Sequence, residues 1–325
     1  MPSGILAYNP TAGLFPSRIL AERAANVLRA GGWNITLEQT IDAEHITRIA
    51  QQAVEDKLDA MFMAGGDGSV NRAVAGLVGS QTALGVLPAG TSNVFAQELG
   101  LPLLGWTRLT ALEESARLLA EAQICHVDTG SCNDQPFLLW AGMGLDAIIV
   151  HRIEPRSRWE KHFAVVFYAS TAVWYASYWR GMNLEVEADG NKIQGHFLLA
   201  LVSNVNLYAG GLFRLSPEAC LDDGFMDLWL FQGDTLGDTV KLVLELLAGR
   251  HVRSKKVIHL PFKNLSLMSD SAIYFQLDGE PEVSTGPARL SVMPLSLRVL
   301  VPKSSLPKKI ISRGSIDQTS AELAR

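Results

Sequence analysis

The first third of the chain alternates between two kinds of segment, and that alternation limits its folds more than any single residue does. "GILAYNP", "WNITLEQT", "LDAMFMAGG" and "TALGVLPAG" are short apolar or β-branched runs. Between them lie "SRILAERAANVLRAGG", "AEHITRIAQQAVEDK" and "SVNRAVAGLVG", whose apolar residues recur at helical spacing. "SNVFAQELGL" and "LTALEESARLLAEAQ" read as two further helices. A βαβα rhythm produces a parallel sheet, because each helix returns the chain to the end from which the next strand starts. Such a sheet is covered on both faces, which suits the unbroken apolar run "LDAMFM".

From about Cys125 the pattern changes. Strand-like runs dominate: "ICHVDTGSCN", "FLLWAG", "NLEVEADGNKIQGHFLLALVSN", "FMDLWLFQG", "KVIHLPF", "NLSLMS", "AIYFQLDGE" and "ARLSVM". Turn pairs such as "DG" and "PE" separate many of them. Only 159–179 and 235–249 read as helices. A chain of 325 residues exceeds the size at which one core stops growing, about 250–300 residues, so two domains are expected. We place an α/β domain with a parallel sheet at 1–124 and a mostly antiparallel β-sandwich domain at 125–302. A last strand, "LSLRVLVP", could return to the first domain, and 303–325 reads as a polar, basic, flexible tail.

Charge and composition exclude some functions. A net charge of -5 argues against a general nucleic-acid binder. Three cysteines without a CxxC pair read as reduced thiols in a cytoplasmic protein, and the N-terminal residues show no secretory pattern. The segment 163–179 carries no formal charge but is shorter than the ~20 residues a membrane span needs. It reads as a buried or pocket-lining helix, with contact at a membrane interface left open. The tail segment "PKSSLPKKIISR" has four basic residues and no acid. It is either a solvated tail or an electrostatic contact for anionic lipid.

The chemistry-bearing residues gather at the expected C-terminal ends of the parallel strands, where open α/β sheets bind ligands. Asn9 follows the first strand and Thr40 the second. The third ends in Gly65, Gly66, Asp67, Gly68 and Ser69, and the fourth in Gly90, Thr91 and Asn93. Glycines let a ligand approach the backbone, and a helix start offers N–H groups to phosphate. Asp67 would repel phosphate unless a divalent cation lay between them. There is no GxxxxGK[ST] and hence no P-loop lysine. "GMGLDA" at 142–147 matches a dinucleotide fingerprint weakly, in the β-rich region and without a clear following helix.

Taken in order, "NPTAG", "GGDGSVN", "LGVLPAGTSNVFAQELGLP", "VDTG", "GMGLDA", "PEACLDDGFMDLWL" and "LDGE" resemble the diacylglycerol kinase catalytic-domain family. That family includes bacterial soluble lipid kinases and is related to sphingosine and ceramide kinases. The resemblance implies transfer of the γ-phosphate of ATP, with Mg²⁺, to a hydroxyl of a lipid such as diacylglycerol or a sphingoid base. It implies a two-domain kinase with its active site in the interdomain cleft. The protein would be cytoplasmic and associate peripherally with the inner face of the membrane. By the same resemblance Glu280 of "LDGE" is the general base, with Asp67 as the rival. Asp128 of "VDTG" and Asp223 of "LDDG" join Asp67 in a water-and-metal network. Asn9, Thr40, Gly65, Gly66, Asp67, Gly68, Ser69, Gly90, Thr91 and Asn93 are the expected nucleotide contacts. Arg72 stands where relatives often carry glutamate. The alternatives are a kinase of a soluble alcohol, of the NAD or sugar type, and a non-catalytic nucleotide- or lipid-binding regulator. An exposed edge strand could also pair two chains as a homodimer.

Overall fold

The computed structural model describes residues 1–10, 17–106, 108–153, 178–270, 273–284 and 286–303. The expected aromatic helix at 163–179, apart from residues 178 and 179, and the tail after 303 lie outside the described residues. The chain divides into two compact units. The first comprises Met1–Asp128, Cys220–Gly224 and the chain from Pro294; the second comprises Thr129–Ala219 and Phe225–Met293.

The first unit contains β1 (Ser3–Tyr8), α1 (Ser17–Ala30), β2 (Asn34–Gln39), α2 (Ala43–Glu55), β3 (Ala60–Gly65), α3 (Asp67–Leu77), β4 (Ala83–Pro88), α4 (Val94–Glu98) and α5 (Ala111–Ala120). β5 (Gln123–Cys132) then carries the chain onward. β1 pairs in parallel with β2 and β3, and β3 with β4, giving the order β2-β1-β3-β4. Every residue of β3 and β4 is buried. The helices pair off as α1 with α5 and α2 with α3. Asp42 starts α2 by accepting the His45 N–H at 2.6 Å, and the Asp56 N–H closes it on Gln52 O. Gly85 lies against Phe62, whose ring a Cβ would meet at 2.5 Å, so glycine here lets adjacent strands accommodate a large ring.

The second unit contains β6 (Gln135–Phe137), β7 (Trp140–Gly144), α6 (Leu145–Ile153), β8 (Met182–Ala188), β9 (Asn191–Ser203), β10 (Leu207–Tyr208), β11 (Phe213–Arg214), β12 (Met226–Gln232), α7 (Leu236–Leu247), β13 (Val257–Phe262), β14 (Asn264–Met268), β15 (Ile273–Leu277) and β16 (Glu280–Ser284). β17 (Ala288–Val301) leaves it. Among the described residues, the pairings made by β6 to β16 are antiparallel. The 13-residue β9 serves two layers. Its first half pairs with β8, which continues through β14 to β17; its second half lies between β7 and β12. Leu184, Val186, Leu265 and Leu290 from one layer and Ala200, Val202, Leu228 and Phe275 from the other share one core.

Three local readings change. "ARLSVM" and "LSLRVLVP" are one strand, β17, which bends at Leu295 (φ 51°) after Pro294 and then pairs in parallel with β4 at Val299–Leu84. "FLLWAG" splits into β6 and β7, because backbone N–H groups at 138–140 bind a carboxylate instead of a neighbouring strand. A helix does follow "GMGLDA": α6 begins at Leu145, directly after β7.

Candidate active site

β3 ends at Gly65, and α3 starts two residues later. Gly66 is the N-cap, extended at φ -94° and without a side chain to satisfy the helix's first N–H groups. Val70 N–H donates to Gly66 O at 3.0 Å, which leaves the N–H groups of the preceding residues without intrahelical acceptors. This is a helix start open to an anion. Asp67, half-buried, stands at its first position and accepts the Phe95 N–H at 3.2 Å. Burial raises the proton affinity of its carboxyl above the ordinary aspartate range, and the N–H groups of Val94, Phe95 and Asn93 oppose that rise.

The other strand ends close around this turn. Asn9 Nδ2 donates to Ser69 Oγ at 3.2 Å, and Asn9 N–H to Ala64 O at 3.1 Å. Gly66 and Gly90 meet backbone to backbone: a Cβ on Gly90 would fall 2.4 Å from Gly66 Cα. A Cβ on Gly65 would fall 2.6 Å from Ser69 Cβ. These glycines are therefore required by contacts within the protein, beyond any ligand approach. Asn93 is left-handed (φ 53°) and buried, and its amide closes a turn on Gly90 through two hydrogen bonds, 2.9 and 2.8 Å. Thr40 is buried as well, with its hydroxyl on Tyr8 O at 3.2 Å. Gly68 and Thr91 are exposed, and Ser69 is half-exposed. Within the expected set, then, Thr40 and Asn93 shape the loops, while Gly68, Ser69 and Thr91 present groups outward. Arg72 lies one turn further along α3, and its carbonyl accepts from Thr47 Oγ1 at 3.0 Å.

Asp128 is sealed from solvent. Its Oδ2 accepts the Gly224 N–H and its Oδ1 the Leu295 N–H, both at 2.7 Å, while its own N–H reaches Leu221 O at 2.6 Å. It thus pins two distant segments, 220–224 and the chain from Pro294, into the first unit. Burial again raises its proton affinity, the two N–H donors lower it, and the nearby Asp223 and Asp222 raise it further. Asp223 is exposed on that turn. Among the described residues no three histidine, cysteine, aspartate or glutamate side chains converge into a protein-only metal cage.

Glu280 opens β16 in the second unit. The preceding turn is a two-residue hairpin with Asp278 (φ 50°) and Gly279 (φ 88°) both left-handed, the signature of a type I′ turn. Sequence reasoning assigned nothing to Asp278, yet it is a firmly anchored acid. Its carboxylate accepts three backbone N–H groups, from Leu138 (2.6 Å), Leu139 (2.8 Å) and Trp140 (2.8 Å). A second buried acid, Asp146, accepts from the Tyr208 hydroxyl and from Gln276 Nε2 at 2.8 Å. Gln276 in turn accepts the Gly279 N–H at 2.7 Å. These four residues hold the hairpin from beneath. "GMGLDA" marks Asp146 in the sequence, but nothing local marks its partners, 62 and 130 positions away.

Comparison with known proteins agrees with this architecture. Residues 3–135 match the diacylglycerol kinase catalytic domain, and 140–301 match the YegS C-terminal NAD kinase beta sandwich-like domain. The diacylglycerol kinase of Bacillus subtilis (strain 168) is 28% identical over 280 residues, covering 85% of this chain and 88% of its own. That of Staphylococcus aureus (strain bovine RF122 / ET3-1) is 26% identical, covering 98% of each. A crystal structure of a diacylglycerol kinase from Bacillus anthracis str. Sterne superposes with a TM-score of 0.70 at 19% identity, over 93% of this chain and 97% of that one. With both domains matched in order along nearly the whole length, the chain belongs to the diacylglycerol kinase catalytic-domain family, a family of lipid kinases.

Proposed function

We infer that this protein transfers the γ-phosphate of ATP, as its Mg²⁺ complex, to a lipid hydroxyl at a membrane surface, with diacylglycerol or a sphingoid base as the acceptor class. The observation that carries this reading is Asp67: a half-buried carboxylate, costly to ionise, at the first turn of α3, beside N–H groups suited to phosphate. A divalent cation removes that cost, so the residues fit the ion. Mg²⁺ characteristically binds one or two carboxylates plus substrate phosphates, which suits a chain with no protein-only cage among the described residues. When bound, it would neutralise charge on the transferred phosphoryl group.

The protein's own groups supply the rest. The N–H groups of the α3 start and the Ser69 hydroxyl hold phosphate oxygens, and the Asn9 amide orients Ser69. Glu280 takes the proton from the lipid hydroxyl as its oxygen bonds to the γ-phosphorus and the bond to the bridging oxygen of ADP breaks. Asp67 is committed to the cation, which leaves the proton to Glu280. Asp128 organises the loops that carry Asp223 rather than meeting a ligand itself. The protein would work in the cytoplasm, at the inner face of the membrane. Among the described residues no helix is long and apolar enough to cross that membrane.

The test is transfer of labelled γ-phosphate into a total lipid extract, resolved by chromatography. A labelled lipid that is absent with Asp67→Ala establishes the activity and the acceptor class. With Glu280→Gln we expect kcat to fall by about 10²–10⁴. An unchanged kcat would remove Glu280 as the base.

A further inference from the structure

α7 is amphipathic in an unusual sense: it is apolar on two sides. Thr239, Leu242 and Leu246 are buried. Leu236, Val240, Val243, Leu244 and Leu247 are 42–61% exposed. At 3.6 residues per turn these five fall within an arc of roughly 100°, with no charged residue inside it. Val252, in the short 3-10 turn that follows, is 48% exposed and adds to the same apolar exposure.

The charges around this stripe have one dominant sign. Arg250, Arg253 and Lys255 are exposed just beyond the helix and make no ion pair among the described residues. The acids nearby are already engaged: Asp238 with Lys256 at 2.5 Å and Glu245 with Lys241 at 3.7 Å. Asp234 lies at the opposite, N-terminal end. Arg250, whose backbone N–H donates to Glu245 O at 2.7 Å, also complements the C-terminal end of the α7 dipole. An apolar stripe bordered by free cations, on a chain of net charge -5, is complementary to an anionic lipid surface: side chains enter the acyl boundary while arginine and lysine meet headgroups.

We propose that the outward face of α7, with Arg250, Arg253 and Lys255, docks the protein on anionic bilayers. The proposal rests on the lipid-acceptor reading and names the surface through which that acceptor is reached. The test is co-sedimentation of the full chain with phosphatidylcholine vesicles, with and without phosphatidylglycerol. Wild type should bind the phosphatidylglycerol vesicles, more weakly as salt rises. Leu244→Glu with Leu247→Glu should weaken binding by about tenfold or more. Arg250→Gln with Arg253→Gln should weaken it by about 30-fold at low salt. Phosphorylation of a short-chain diacylglycerol in detergent micelles should be unchanged in both variants.

Equal vesicle binding by wild type and both variants would overturn the proposal, as would absence of binding by wild type. A wild-type dimer that dissociates in the leucine variant, with vesicle binding unaltered, would make this face a contact between two copies and overturn it too. Vesicle binding lost in the variants, but with no lipid phosphorylated by wild type, would sustain the docking face and defeat the lipid-acceptor reading instead.

Discussion

The glycine turn at 65–69 and the hairpin ending at Glu280 each set an acidic side chain at the end of a strand, but they are held by opposite means. The first is built from its own neighbourhood. A strand end, a capping glycine and a helix start fix Asp67, which also accepts the Phe95 N–H just past the Gly90–Asn93 turn, a turn closed by its own two amide hydrogen bonds. The second is built from far away. Asp278, two residues before Glu280, is fixed by N–H groups 138–140 positions distant, and Gln276 by a carboxylate 130 positions distant. A local frame announces itself in composition, through glycine and asparagine. In a long-range frame the Asp-Gly pair announces the turn, but nothing local announces what the Asp278 carboxylate holds.

The largest expected effect lies in the local frame. Asp67→Asn keeps an oxygen to accept the Phe95 N–H but removes the charge, so lipid phosphorylation should drop by about 10³-fold or more. Stability should move the other way. Burial raises the folded-state proton affinity of Asp67, so its ionised form costs the folded state. That cost is absent below the ordinary aspartate range, grows as pH rises from there to the folded value, and is complete above it. Asp67→Asn should therefore have a higher Tm than wild type at neutral pH, in the absence of Mg²⁺ and nucleotide, and the gap should close on acidification. A Tm difference independent of pH would break this account.

In the long-range frame the order of effects reverses: stability suffers first. Asp278→Ala strips the acceptor from three buried N–H groups, and we expect a loss of about 3–5 kcal/mol in urea unfolding. Asp278→Asn should fall between, since one oxygen can still serve Leu139 and Trp140 while the amide opposes the Leu138 N–H. A cost below that of an ordinary surface substitution would mean that the 137–140 break is held by something other than this carboxylate.

The contrast also explains what the sequence disclosed. The parallel sheet of β1 to β4, the turn chemistry at their ends and the extent of α7 follow from period and punctuation, which are local properties, whereas the strand order does not. Asp128 was legible as an acid in a family motif, but its work, tying Gly224 and Leu295 to the first unit, depends on segments 96 and 167 positions away. The return of β17 was visible as a final apolar run, whereas its continuity across Pro294 was not, because proline there reads as a strand end. The exposed stripe of α7 was hidden for a different reason. Apolar residues at helical spacing predict a buried face, and only the observed packing on Leu242 and Leu246 shows that a second apolar face remains outside.

The smallest effects separate two reasons for using glycine. At Gly90 the limit is space: a Cβ would sit 2.4 Å from Gly66 Cα and 2.8 Å from Asn93 Oδ1, and backbone cannot step aside as a side chain can. Gly90→Ala should cost about 1–3 kcal/mol and should lower phosphorylation too, because it displaces the turn just before Phe95, whose N–H Asp67 accepts. At Gly279 the limit is conformation. Its φ is 88°, while a Cβ would meet nothing within 4 Å. Gly279→Ala should cost only about 1–2 kcal/mol, the penalty of a left-handed L-residue. Gly279→Asn should recover part of that, because asparagine visits this region more readily. At Gly90 asparagine should be no better than alanine. If asparagine rescued both sites equally, the glycine turn would be limited by backbone conformation as the hairpin is, and the close approach of Gly66 to Gly90 would not be what makes glycine necessary there.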